Sequence, residues 1–129
     1  EANKEGLNFN LDNIKKTPNT VFSHLLIKLA EQTNVHNEVK EKIYHSYFID
    51  GHNIGDKEIL INIGKEFNIE KEIINNFFNV DNIEKVNSFI SIAKEKEING
   101  VPFFEIGNDV ISGAQSTANL EAIIKANLN

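Results

Sequence analysis

The chain has 129 residues, a formal net charge of −6 and no cysteine, which suits one compact domain and excludes disulfides, thiolate metal sites and cysteine nucleophiles within it. All 13 basic residues are lysines, so no guanidinium fork is present to read a base edge or clamp a phosphate, and nucleic acid is not an expected partner. No apolar run approaches the roughly 20 residues that a bilayer crossing requires, so no membrane partner is expected either.

The first residues, from Glu1, are polar and lack the basic start and apolar stretch of a secretory signal. We expect that a leader or an upstream region has been removed and that the compartment is the cytoplasm. Leu7, Phe9 and Leu11 alternate with Asn8 and Asn10, the pattern of a brief strand or an extended arm. Pro18-Asn19-Thr20 stops that stretch and offers a helix cap. Val21, Leu25, Leu26 and Leu29 share one helical face, predicting a first helix from Val21 to Gln32. Asn37 reads as the cap of a second helix striped by Val39, Ile43 and Tyr47 and ended by Gly51.

His52-Asn53-Ile54-Gly55 is a turn, and Asp56 caps a third helix carrying Ile59, Leu60, Ile63 and Phe67. A fourth, short helix spans about Glu70 to Phe78. Asn82 opens a fifth, with Ile83, Val86, Phe89, Ile90 and Ala93 inward and a stop at Asn99-Gly100. The period then changes. Val101 to Ile106 is a short, largely apolar run, Gly107-Asn108 is a two-residue hairpin signal, and Val110-Ile111 starts the returning strand. Ser112 to Gln115 is a turn, Ser116 a cap, and Leu120, Ile123, Ile124 and Leu128 the face of a closing helix.

Four histidines, His24, His36, His45 and His52, are present. His45 and His52 are separated by Gly51, which should end their helix, and no carboxylate falls at a ligand spacing, so no metal site is expected. Carboxylate pairs such as Glu95 with Glu97, or Glu70 with Glu72, sit among lysines and read as solvated faces. Gly51 to Gly55 lacks the lysine and the preceding strand of a phosphate loop. On residues alone, Pro102 reads as a trans proline opening an edge strand, while Phe103 and Phe104 read as core.

Gly100-Val101-Pro102-Phe103-Phe104, a hairpin, and then Ser112-Gly113-Ala114-Gln115 before the last helix form a specific order. In this order the chain resembles the DsbA-like thioredoxin-fold family, in its branch of FrnE and 2-hydroxychromene-2-carboxylate isomerase-like proteins. Gly6-Leu7-Asn8-Phe9, Pro18-Asn19-Thr20 with the following His24, and Asp50 to Asp56 resemble that branch's helical insertion. The likeness runs from about Gly6 to Ala126. It implies a truncated α/β thioredoxin-like fold of DsbA type, mainly a helical insertion layer plus a β-hairpin and a C-terminal helix. Residues 1–19 would be an extended arm or short strand, 20–99 the helical insertion and the following thioredoxin-fold helix, and 100–129 the hairpin and final helix.

The resemblance also implies a function: part of a thiol–disulfide oxidoreductase that keeps the cis-proline substrate loop but not the redox cysteines, so that this chain alone should be inactive. Pro102 would be cis, Val101 would offer its N–H and C=O to an extended peptide, and Gly100 would enter the bend at positive φ. Gln115 and His24 are further candidates for the substrate groove, with turn chemistry and a surface position as their plainer readings. The implied partners are protein or peptide thiols and disulfides, and no cofactor is expected. Alternatives are a glutathione-dependent isomerase of the same branch, which would bind glutathione, and a non-catalytic peptide-binding or chaperone module. Because the hairpin lacks its expected cover, a homodimer or strand exchange is expected.

Overall fold

The leucine stripe noted in the sequence does form the first helix, α1 (Val21–Ala30), which continues into a tight turn at Glu31–Thr33. The computed structural model describes residue 4 and residues 6–128 of the chain; residues 1–3 and 5, within the expected arm, and residue 129 lie outside the described residues. Five more helices and one hairpin follow among the described residues. They are α2 (His36–Phe48), α3 (Lys57–Glu66), α4 (Lys71–Phe77), α5 (Val80–Glu95), β1 (Phe103–Ile106), β2 (Asp109–Ser112) and α6 (Thr117–Asn127). The chain divides into two compact units, one ending at Ser88 and the other beginning at Phe89.

The first unit is built on α1. Leu25, Leu26, Leu29 and Ala30 meet Val39 and Ile43 of α2 and Leu60, Ile61 and Ile63 of α3, with Ile69, Ile74 and Phe78 closing the cluster. Each such leucine or isoleucine contributes about 1.5–3 kcal/mol on burial. Gly64 makes the close approach of α3 possible: a Cβ there would lie 2.5 Å from Ile74 Cδ1 and 3.3 Å from Leu26 Cδ1. Two polar groups are buried with satisfied partners. Ser23 Oγ donates to the Ile54 carbonyl at 2.7 Å, which pins the α2–α3 connection to α1, and Ser46 Oγ lies 3.1 Å from His52 Nδ1.

Three helix ends close in the same way. The α1 extension, α3 and α5 are followed by Asn34, Asn68 and Glu97 in the left-handed region, at φ of 58°, 61° and 54°. In each, the next residue's N–H donates five residues back: Val35 to Ala30, Ile69 to Gly64 and Ile98 to Ala93. That pair of features is the Schellman stop, with an apolar residue just beyond it.

The second unit contains the hairpin and α6. Phe103 pairs with Ser112 and Ile106 with Asp109, which leaves Gly107 and Asn108 as the two-residue loop. Gly107 alone of the pair has positive φ, 61°, as a II′ turn requires. Asn127, in the last turn of α6, donates from Nδ2 to Asp109 Oδ2 at 2.7 Å. A Cβ on Gly107 would collide with the same asparagine. Lys96 and Glu105 form an ion pair at 2.7 Å.

Several expectations are corrected. Of the strand or arm expected at Leu7–Leu11, the strand does not form among the described residues: Leu7–Asn10 is neither helix nor strand, Asn10 N–H donates to the Phe48 carbonyl, Phe9 stacks on Phe48 at 4.6 Å, and Leu11–Asn13 is a short 3₁₀ turn. Asn37 lies inside α2, which starts at His36. α5 starts before Asn82, whose N–H donates to the Asn79 side chain. It ends at Glu95, not at Asn99-Gly100, because Glu97 takes the left-handed stop. Ile83 and Val86 do pack on the first unit's core, but Phe89 is 67% and Ile90 49% exposed. Phe103 and Phe104 are half-buried, and Ile124 and Leu128 are exposed, so none of the four is core.

Candidate functional site

The candidate residues of the second unit gather where the chain enters the hairpin. After the Glu97 stop, residues 98–102 are neither helix nor strand, and β1 begins at Phe103. The Val101–Pro102 peptide bond is cis, which replaces the trans geometry read from the residues alone. Gly100 is not in the left-handed region, contrary to the expectation for it; the positive φ of this connection belongs to Glu97. The Pro102 carbonyl accepts from Gly113 N–H at 2.8 Å, which extends the β1–β2 ladder by one bond.

Val101 stands just outside that last bond. It is 88% exposed, and among the described residues neither its N–H nor its C=O makes a hydrogen bond. An exposed valine beside an unpaired amide and carbonyl at the end of a ladder is a strand edge open to further pairing.

Gln115 is tied to the same loop through the Gly113 bond, yet its side chain serves the turn. Nε2 donates to the Ser112 and Gly113 carbonyls, both at 3.4 Å, and Oε1 accepts from Asn119 Nδ2 at 2.7 Å. Ser116 Oγ caps α6 by accepting from Asn119 N–H at 3.2 Å. Ser112, Gln115 and Ser116 thus hold the crossing from β2 into α6. His24 belongs to the first unit, where it is exposed on α1.

Two groupings in the first unit escaped the sequence reading. One joins both histidines left apart by spacing: the Gly51 stop folds the chain back, and Asp50 Oδ2 comes to 3.2 Å from His45 Nδ1 and 4.0 Å from His52 Nδ1. The clue was a carboxylate immediately before the helix-ending glycine. Among the described residues no set of three histidine, cysteine or carboxylate side chains is arranged to hold a metal ion. The other is an open depression of about 550 Å³ lined by Asn37, Glu38, Glu41, Lys42, His45 and Phe67. At its edge Lys42 pairs with Glu66 at 2.8 Å, and that hydrogen bond and charge raise the lysine's pKa above its ordinary value. Asp50 is placed to orient the His45 ring, and Phe67 gives the depression an apolar wall among charged and amide side chains.

No helix among the described residues is long and apolar enough to cross a membrane. The sequence matches the family model for the DSBA-like thioredoxin domain over residues 1–125. It is also similar to an uncharacterized protein of Bacillus subtilis (strain 168), YwbO, at 26% identity over 115 residues, which make up 88% of this chain and 58% of that protein. The chain therefore spans less than two thirds of the length of this curated relative.

Proposed function

Because the chain belongs to the DSBA-like thioredoxin domain family, we propose that it is the substrate-facing part of a thiol–disulfide oxidoreductase of the FrnE-like branch. In that chemistry a thiolate attacks one sulfur of a substrate disulfide, the other substrate sulfur leaves as a thiolate, and a second cysteine resolves the mixed disulfide. None of these sulfurs is supplied by the present residues, which include no cysteine. The role left to the chain is to hold an extended peptide while thiols from outside it react.

The observation that carries this reading is Val101. Its exposed side chain and unpaired N–H and C=O, one residue beyond the Pro102–Gly113 bond, suit strand-like pairing with a peptide. Two such hydrogen bonds contribute about 0.5–1.5 kcal/mol each, while association costs at least about 4 kcal/mol in lost freedom. Loop binding is therefore weak, as a site that must release its product requires. Zero cysteine together with the exposed Val101 also favours a second reading for the chain by itself, a peptide-binding module without redox chemistry.

Titration of the chain with an extended peptide, followed by amide NMR, tests the proposal. Shifts should concentrate at Gly100, Val101, Phe103 and Gly113 and vanish with Val101→Pro, which deletes the N–H. Shifts confined to the helical unit, or none at high peptide concentration, overturn it. Insulin reduction separates the two readings: a longer form of the protein that binds peptide yet never reduces disulfides is a binding module.

A further inference from the structure

The segment between the Glu97 stop and Val101 contains Asn99–Gly100, the sequence's one asparagine followed directly by glycine. In such a pair the peptide nitrogen of the glycine, after giving its proton to solvent base, can attack the asparagine Cγ. The Cγ–Nδ2 bond then breaks, ammonia leaves, and a five-membered succinimide closes. Water opens that ring at either carbonyl, giving aspartate or an isoaspartyl link in which the main chain runs through the former side chain. The balance is one water in and one ammonia out, with no redox change.

The reaction requires a free nitrogen, room around it and an accessible side-chain carbonyl. Gly100 N–H makes no hydrogen bond among the described residues. A Cβ built on Gly100 would meet nothing within 4 Å apart from its two chain neighbours, so Gly100 stands in open space with no side chain of its own beside the nitrogen. Asn99 is exposed and lies outside helix and strand. Its amide makes one local bond, from Nδ2 to the Glu97 carbonyl at 2.9 Å, which leaves Cγ and Oδ1 accessible.

Several other positions are less open to the reaction. Asn62 and Asn82 lie within helices and are followed by isoleucine, and Asn53 and Asn68 are also followed by isoleucine. Asp50–Gly51, the aspartyl counterpart, is packed: a Cβ on Gly51 would lie 2.7 Å from Asn13 Cβ, and the Asp50 carboxylate is engaged by His45.

We infer that Asn99 is a site of spontaneous succinimide formation, through which the protein gains a carboxylate, and in part an isoaspartyl link, two residues before Val101. The modification stands on the geometry above. Its consequence, weaker holding of peptide by the Val101 loop, rests on the function proposed in the preceding section.

The chain is incubated in mildly alkaline buffer, folded and in urea, then digested and analysed by mass spectrometry with isoaspartyl methyltransferase labelling. In the folded protein the mass gain of amide-to-acid conversion should appear first at the Asn99 peptide, carry the isoaspartyl label, and be lost in Asn99→Gln. Protection of Asn99 in the folded chain relative to urea, or earlier conversion of another asparagine in the folded chain, overturns the inference. Conversion at Asn99 with unchanged peptide affinity leaves the modification standing and counts against the Val101 reading instead.

Discussion

The two units solve the problem of stability differently. Every fully buried apolar side chain among the described residues precedes Ser88, and none lies from Phe89 onward. The first unit is a closed helical cluster in which leucines and isoleucines of α1–α4 surround one another. The second is held mostly by directional contacts: four ladder pairs, the Gln115 and Ser116 turn bonds, the Asn127 clamp and the Lys96–Glu105 pair. A unit built this way leaves apolar surface such as Val101, Val110 and Leu128 open. The contrast teaches that the region carrying the candidate site is also the region with least packing of its own, the usual arrangement for binding segments.

Substitution of one leucine in each unit should break or sharpen that contrast most strongly. Leu26→Ala opens a cavity in the closed cluster and should cost about 2–5 kcal/mol. Leu120→Ala, at a half-buried position of α6, should cost well under half as much. Urea unfolding of both variants checks this, and equal losses would mean that α6 is packed as tightly as α1. Ser23→Ala comes next: it leaves the buried Ile54 carbonyl without its donor, a loss of about 1–3 kcal/mol. Hydrogen exchange should show the effect at Ile54–Gly55 first. Glu97→Gly is the smallest and has the opposite sign. It relieves a left-handed non-glycine stop and should stabilise α5 by about 1 kcal/mol, read from the thermal midpoint.

Much of this architecture was legible because local chemistry and tertiary packing agree. The Leu25, Leu26 and Leu29 stripe, the Asp56 and Ser116 caps, whose side chains accept from Glu58 and Asn119 N–H, and the Gly107–Asn108 loop all act within a few residues of themselves. Failures came where a distant partner decides. Leu7–Leu11 alternates in a way that fits a strand or an arm, and only the strand fails, because Phe48 offers it a ring and one carbonyl with no ladder. Phe89 and Ile90 continue the α5 stripe past the point where the first unit's core ends. The end of α5 was misplaced because a glutamate occupies a position at which glycine or asparagine is the usual signal. Asn37 and Asn82 carry capping chemistry but lie within their helices; Asn82 lends its N–H to another asparagine's cap. The Val101 loop was visible through family resemblance alone, since nothing in its periodicity distinguishes it from a strand start. The His45–Asp50–His52 grouping depends on a chain reversal that residue spacing does not express.

Asn127 has a consequence of its own. One amide near the end of α6 grips both the turn-side carboxylate of Asp109 and, through its i−4 bond to Ile123, the helix that carries it. Fraying of the last turn of α6 therefore unlatches the tip of the β-ribbon at the same moment, and order at that helix end becomes a condition for order at Asp109.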